Sequence, residues 1–216
     1  MRIEKASYKA TNYACLNFHY AKRMPAQPMT SLAVFNDNNE WCGVVVFNIG
    51  IGNISKPFNL PNGSVCELVR VALNGKQSQT SKAVSLAMRY FKKLNPLCKL
   101  LVSYADSDQN HKGVIYQAMN WYFVSSHNTG HKFIDPKTGK EIHSRAHSPT
   151  GYNIQFGTRK KVANTKDLIK IKTGVKHKYI YPLDKSLIPM CKQLSKPYPK
   201  KESGEVGSNA NSKLDV

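Results

Sequence analysis

The sequence predicts an α+β (α/β) fold, a mixed central sheet flanked by helices. Three observations lead there. Residues 65–73 (VCELVRVAL) and 99–105 (KLLVSYA) are apolar, strand-like runs. Each is followed by a polar turn and then a stretch of helical period. A strand-helix-strand-helix-strand order implies parallel neighbours at the sheet centre, because parallel strands need a crossover between them.

From the N-terminus, RIEKAS (2–7) alternates as a short strand, and YKATNYACLNFHYAKRM (8–24) reads as a helix that Pro25 and Pro28 end. SLAVFN and WCGVVVFNIG, joined by the turn-forming DNNE, read as a hairpin. GNISKPFNLPNGS (52–64) is a loop by its Gly, Pro and Asn content. VCELVRVAL is continuous enough for a central strand buried on both faces, and its breaks at Glu67 and Arg70 mark residues that serve a site. SKAVSLAMRYFKKL places Ala83, Leu86, Ala87, Tyr90 and Leu94 at helical spacing, with Thr80 or Ser81 as N-cap and Asn95-Pro96 as terminator. A strand (99–105), a helix (111–119) and an aromatic strand (121–125) follow.

Beyond residue 126 the pattern weakens. DPKTGKE is a turn and YNIQFG a strand candidate, while IKIKTGVKHKYIY (169–181) alternates like an exposed or edge strand. Residues 159–201 hold thirteen Lys and Arg against Asp167 and Asp184. The organisation expected is a catalytic domain over 1–158, a basic C-terminal extension over 159–202 that packs on the domain or contacts DNA, and a polar, disordered tail over 203–216.

A formal charge of +19, from 32 Lys and Arg against 13 Asp and Glu, favours a polyanionic partner, nucleic acid first, because each neutralised phosphate releases counterions. Cys15, Cys42, Cys66, Cys98 and Cys191 form no C-x-x-C pair, so buried, reduced thiols are expected. The N-terminus lacks an apolar leader, and no run approaches the roughly 18 apolar residues of a membrane span. A cytoplasmic protein is the expectation.

Ligands of such sheets bind beyond the carboxyl ends of the strands. Ser103 and Asp106 sit at one such exit, and Tyr116 lies on the helix that follows. Each has an ordinary use as well: turn hydroxyl, cap and core aromatic. The loop NGKQSQTS, with Gly75, Lys76, Ser78, Thr80 and Ser81, precedes a helix and offers N–H groups to a pyrophosphate, although it lacks a P-loop ending. His19, beside Tyr20, Lys22 and Arg23, suits a base, a metal ligand or a helix-end histidine. His143 and His147 have zinc spacing only on a helix, which Pro149 opposes, so a structural or phosphate-contacting role is expected for them.

In order, ELVRVAL, a phosphate-type loop, a helix, LLVSYAD, a helix bearing Tyr116 and NWYFV resemble the acetyl-CoA-dependent N-acetyltransferase (GNAT) fold. Together HYAKRMP, ELVRVAL, VSYAD and GVIYQAMNW resemble the phage Mom family, GNAT-related proteins that place a methylcarbamoyl group on adenine in DNA. The likeness covers roughly residues 12 to 126. It implies an acetyl-CoA or related acyl-CoA donor, double-stranded DNA as acceptor, and His19, Tyr20, Arg70, Ser103, Asp106 and Tyr116 around the active crevice. Arg70 would position a phosphate or carboxyl group, Ser103 and Asp106 would orient substrate or relay a proton, Tyr116 would be the general acid, and His19 a base. The base would be flipped out and stacked on Tyr20, Trp121 or Tyr122. One departure is that NGKQSQTS replaces the Arg/Gln-x-x-Gly-x-Gly/Ala turn of ordinary GNAT proteins. Two other readings stay open: an N-acetyltransferase acting on a protein or small amine, and a non-catalytic DNA-binding protein on a degenerate scaffold.

Overall fold

The computed structural model describes residues 1–199, apart from Gln27, 51–53, Thr129, 143–145 and Phe156. The expected tail and His143 lie outside the described residues. Seven strands form the main sheet: β1 (Arg2–Lys5), β2 (Thr30–Phe35), β3 (Trp41–Asn48), β4 (Val65–Leu73), β5 (Leu100–Asp106), β6 (Tyr122–Asn128) and β14 (Val175–Pro182), in the spatial order β1-β2-β3-β4-β5-β14-β6. Only β4 and β5 are parallel. Their crossover is α2 (Thr80–Leu94), the long connection that a parallel pair demands.

Both faces of the sheet are covered, which explains the uninterrupted apolar runs of its central strands. On one face Val45 and Phe47 pack with Ala83, Ala87, Met88 and Phe91 of α2, and the Phe47 and Phe91 rings stack at 4.2 Å. On the other, Val44 and Val46 meet Ala14 and Cys15 of α1 (Tyr8–Asn17), while Leu100, Val102 and Ile180 meet Cys191 of α4 (Ile188–Leu194). The five cysteines are free and buried. Among the described residues no helix is long and apolar enough to cross a membrane.

Three expectations are corrected. First, α1 ends at Asn17 rather than near Pro25: the Asn17 amide turns back to the Tyr13 carbonyl, and Lys22 takes a left-handed conformation with φ 47°. His19 and Tyr20 therefore sit in the turn after the helix. Second, the N-cap of α2 is Gln79, whose side chain makes no cap bond; the Thr80 hydroxyl instead accepts from Gln77 Nε2 at 2.9 Å. Third, the alternating run 169–181 is not one edge strand. Its first part is the exposed strand β13 (Ile169–Lys172), and its second is β14, inserted between β5 and β6 with Tyr179 and Ile180 fully buried. Lysines alternate along β14 because one of its faces meets a polar cleft.

Between β6 and β14 the chain forms a lobe of short strands: β7 (His131–Ile134), β8 (Glu141–Ile142), β9 (His147–Ser148), β10 (Tyr152–Gln155), β11 (Thr158–Lys161), β12 (Ala163–Asn164) and β13. They pair as β13-β7-β8, β12-β9 and the β10-β11 hairpin.

Candidate active site

Three residue pairs hold β4 to β5: Val65 with Leu100, Cys66 with Leu101 and Glu67 with Val102. Beyond Glu67 the strands part, β4 following β3 as far as Leu73 and β5 following β14 as far as Asp106. Ser103 fills the crotch of this fork. Its hydroxyl is 2.7 Å from the Leu68 carbonyl and 2.6 Å from the Tyr116 hydroxyl. A carbonyl only accepts, and serine has one proton, so Ser103 donates to Leu68 and the Tyr116 phenol donates to Ser103. A side-chain bridge thus replaces the ladder where the ladder stops, and it aims the phenol of α3 (Val114–Ala118) at the fork.

The fork opens into a cleft of about 1280 Å³ whose walls include His19, Tyr20, Glu67, Arg70, Gln79, Thr80, Ser81, Tyr104, Asp106, His111, Tyr116, Lys176 and Lys178. That volume is larger than an ordinary small-ligand pocket and has room for two reactants. Of the expected residues, His19, Tyr20, Arg70, Thr80, Ser81, Asp106 and Tyr116 meet at the cleft, with Ser103 just beneath it. Gly75, Lys76 and Ser78 do not line it. Lys76 is turned to Glu40 on the β2–β3 turn, 3.1 Å away, so this part of the loop closes a surface contact. Trp121 is fully buried against Tyr116 and Tyr181, and Tyr122 packs into the core beside α4, so neither is placed to stack on a base. Tyr20, 46% exposed and with its ring 4.2 Å from that of His19, presents an aromatic surface to the cleft. His147 packs on the Phe133 ring at 4.4 Å, in the lobe.

Burial sets the proton chemistry. The Tyr116 phenol is pushed up to about 12, chiefly by desolvation, so it stays neutral at physiological pH. Glu67, half-buried at the point where the strands part, is raised above the usual glutamate value by desolvation, with Arg70 and Lys176 opposing. His19 is lowered to about 4 by burial, with Arg70 and His111 adding to the shift. Its Nδ1 accepts the Ala21 N–H at 3.1 Å, so the neutral ring carries its proton on Nε2. His19 therefore offers the cleft a donor, and a base role does not fit this geometry. Asp106 receives the Asp108 N–H on Oδ1, capping the turn after β5 while lining the cleft.

Arg70 is half-buried. One of its Nη atoms donates to the Val69 carbonyl at 2.8 Å, its Nε has no partner, and no carboxylate lies within ion-pairing distance among the described residues. A partly desolvated guanidinium with donors to spare is a seat for an anion or a polarised carbonyl. At the cleft wall the first turn of α2 is likewise uncapped, its N–H groups turned outward with the positive end of the helix dipole.

Sequence reasoning gave Glu67 no proton-transfer role and did not bring His111, Lys176 and Lys178 to the cleft. Glu67 gave a signal as the first break in an apolar strand. The two lysines gave one only in hindsight, because β14 pairs Lys176 with Asp106 and Lys178 with Tyr104 and so brings them to the cleft.

The profile of the Mom protein family matches residues 1–200. The methylcarbamoylase mom of Escherichia phage Mu is 26% identical over 147 residues, 66% of this chain and 61% of that protein. Thus the aligned region spans about three-fifths of the relative's length. A crystal structure of a mosquito arylalkylamine N-acetyltransferase like 5b superposes with a TM-score of 0.50 at 9% identity, covering 84% of this chain and 99% of that one. Arabidopsis thaliana NAA60 in complex with a bisubstrate analogue superposes with a TM-score of 0.48 at 10% identity, covering 85% and 98%. The fold is the GNAT acetyltransferase fold.

Proposed function

Because the chain belongs to the Mom protein family, we propose that it is a phage-type DNA-modifying transferase that places a methylcarbamoyl group on the exocyclic amine of adenine, drawing on an acyl-CoA donor. The observation that carries this reading is the fork: a polar cleft with a half-buried carboxyl, a guanidinium without a carboxylate partner and a neutral phenol, in a chain of charge +19.

The donor fits the parts on one side. The β4 edge that the parting strands free would hold a pantetheine arm, and the uncapped α2 turn at Thr80 and Ser81 would hold its pyrophosphate. The acceptor enters from the other side, beside Tyr20, His19 and Asp106. Duplex DNA hides its exocyclic amines, so the base is extruded and stacks on Tyr20.

The transfer that balances is of a group carried whole on the thioester, its nitrogen included: the adenine amine attacks the thioester carbonyl, an N–C bond forms as the C–S bond breaks, and two protons move. As the amine forms its new bond it gives up a proton, and Glu67, held as a weaker acid than usual by burial, is the base matched to take it. A thiolate leaves the thioester and must gain a proton. Tyr116 carries one, and rotation of its hydroxyl away from Ser103 delivers it. Arg70 and the His19 Nε2–H face the charge that develops on oxygen.

Mass analysis of nucleosides from DNA of cells expressing the protein tests this directly. The expected product is a methylcarbamoyl-adenine nucleoside with the wild type, lowered at least about tenfold by Asp106→Ala or Tyr116→Phe, with salt-dependent DNA affinity kept. Unmodified adenine with the soluble wild type refutes the proposal. Full modification by the double variant removes those residues from the mechanism.

A further inference from the structure

The lobe over residues 129–174 carries ten Lys and Arg against three Asp and Glu. It springs from the cleft end of the main sheet: β6 runs on towards β7 and β13 leads into β14, with Val175 opposite Asn128 and Lys176 opposite Asp106. Its root is clamped to the turn after Asp106. The Gly174 N–H donates to Asp108 Oδ1 and the Val175 N–H to Ser107 Oγ, both at 2.7 Å. A Cβ at position 174 would lie 2.4 Å from Ser107 Oγ and 2.5 Å from Asp108 Oδ1, so a larger residue there would displace the two side chains that make the clamp.

The β10–β11 hairpin of this lobe is a two-stranded ribbon with Tyr152 opposite Lys161 and Ile154 opposite Arg159. Every residue of β11 is exposed, and Ile154 is 79% exposed. Directly opposed residues share a face, so Tyr152, Ile154, Arg159 and Lys161 lie on one side and Lys160 on the other. The Arg159 guanidinium rests over the Tyr152 ring at 4.2 Å, and among the described residues none of Arg159, Lys160 and Lys161 has a carboxylate partner. An exposed isoleucine between unneutralised cations is a poor surface for water and a good one for a polyanion with apolar groups in its groove.

We propose that this hairpin enters the major groove of duplex DNA next to the base presented to the cleft, an inference that rests on the DNA reading above. The B-form major groove is about 12 Å wide and admits a two-stranded ribbon. On the groove side Ile154 meets thymine methyl groups and Arg159 meets guanine O6 and N7; on the other side Lys160 meets phosphate. Because the root of the lobe is bonded to the turn of Asp106, a ribbon seated in the groove fixes the duplex relative to the cleft.

The test titrates the full chain with a labelled mixed-sequence duplex of about 30 base pairs at several salt concentrations, and maps guanine N7 methylation in the complex. The triple variant R159Q/K160Q/K161Q is expected to bind at least about tenfold more weakly, with a slope of log affinity on log salt flatter by about 1, as the loss of the Lys160–phosphate contact requires, and to lose the N7 protection given by the wild type. Ile154→Ser, which leaves the charge alone, is expected to weaken protection without changing the slope. Wild-type affinity and slope in the triple variant would overturn the hairpin's role and leave the DNA reading standing. So would wild-type binding without N7 protection, or equal affinity for an RNA duplex, whose deep, narrow major groove admits no ribbon. Failure of the wild type to bind any duplex would overturn both.

Discussion

The fork and the lobe use the same kinds of side chain for opposite purposes. At the fork Glu67, Arg70, His19 and Lys178 are partly withdrawn from water, and burial moves each away from its ordinary titration range. In the lobe Arg159, Lys160, Lys161, Lys170 and Lys172 stand on exposed strands. Desolvation turns a charge into a reagent; exposure keeps it a counterion whose effect depends on salt. On the proposed function, chemistry and grip are thereby separable, each by substitution in its own region.

The largest effect is expected from Glu67→Gln, which keeps the shape of the side chain and removes the base. Modification should fall by roughly a hundredfold or more, while DNA affinity holds. The sign of the wild-type pH profile follows from the raised value: Glu67 must be ionised to act, so activity climbs with pH through a limb above the ordinary 4.5, and the variant lacks that limb. Loss of DNA affinity in this variant would break the separation between the regions.

An intermediate effect is expected from Gly113→Ala. Gly113 precedes α3 at φ +80°, and a Cβ there would lie 2.3 Å from the Tyr179 ring, whose hydroxyl donates to the Lys112 carbonyl at 2.6 Å and accepts from Gln117. Tyr179 of β14 thus braces the helix that bears Tyr116. The substitution should lower stability by about 1–3 kcal/mol in thermal melts, and lower modification further than that loss explains, because the phenol shifts with its helix. An unchanged melting temperature would show that the brace is slack.

The smallest concerns His19. Its folded value of about 4 lies below the unfolded 6.5, so between these the unfolded chain binds the extra proton. Stability that is complete above pH 6.5 is lost as pH falls towards 4. Denaturant titrations across that window should show a decline that His19→Gln flattens. No difference between the two proteins would place His19 in water.

Much of the frame was legible in the sequence because it is local. The whole of β4 was read from one apolar run, and Ser103, Asp106 and Tyr116 lie within a single strand-turn-helix unit. What stayed hidden depends on partners distant in the chain. Lysines alternating along 176–178 look like an exposed edge until β14 is seen between β5 and β6, with the cleft on one side. The phosphate-type loop showed its chemistry but not its direction, since Glu40, from another hairpin, holds Lys76 away from the cleft. The reading of His19 turned on one backbone N–H, that of Ala21, which claims the lone pair a base would need.

On the proposed function, the fork and the uncapped turn of α2 together hold a thioester donor. Titration calorimetry of coenzyme A into the wild type and Ser81→Glu addresses this, because the new carboxylate favours the helix dipole but repels a pyrophosphate at the same place. Saturable binding to the wild type, at least about tenfold weaker in the variant with its melting temperature equal or higher, is the predicted result. No binding to the wild type, or equal binding by both, would contradict it.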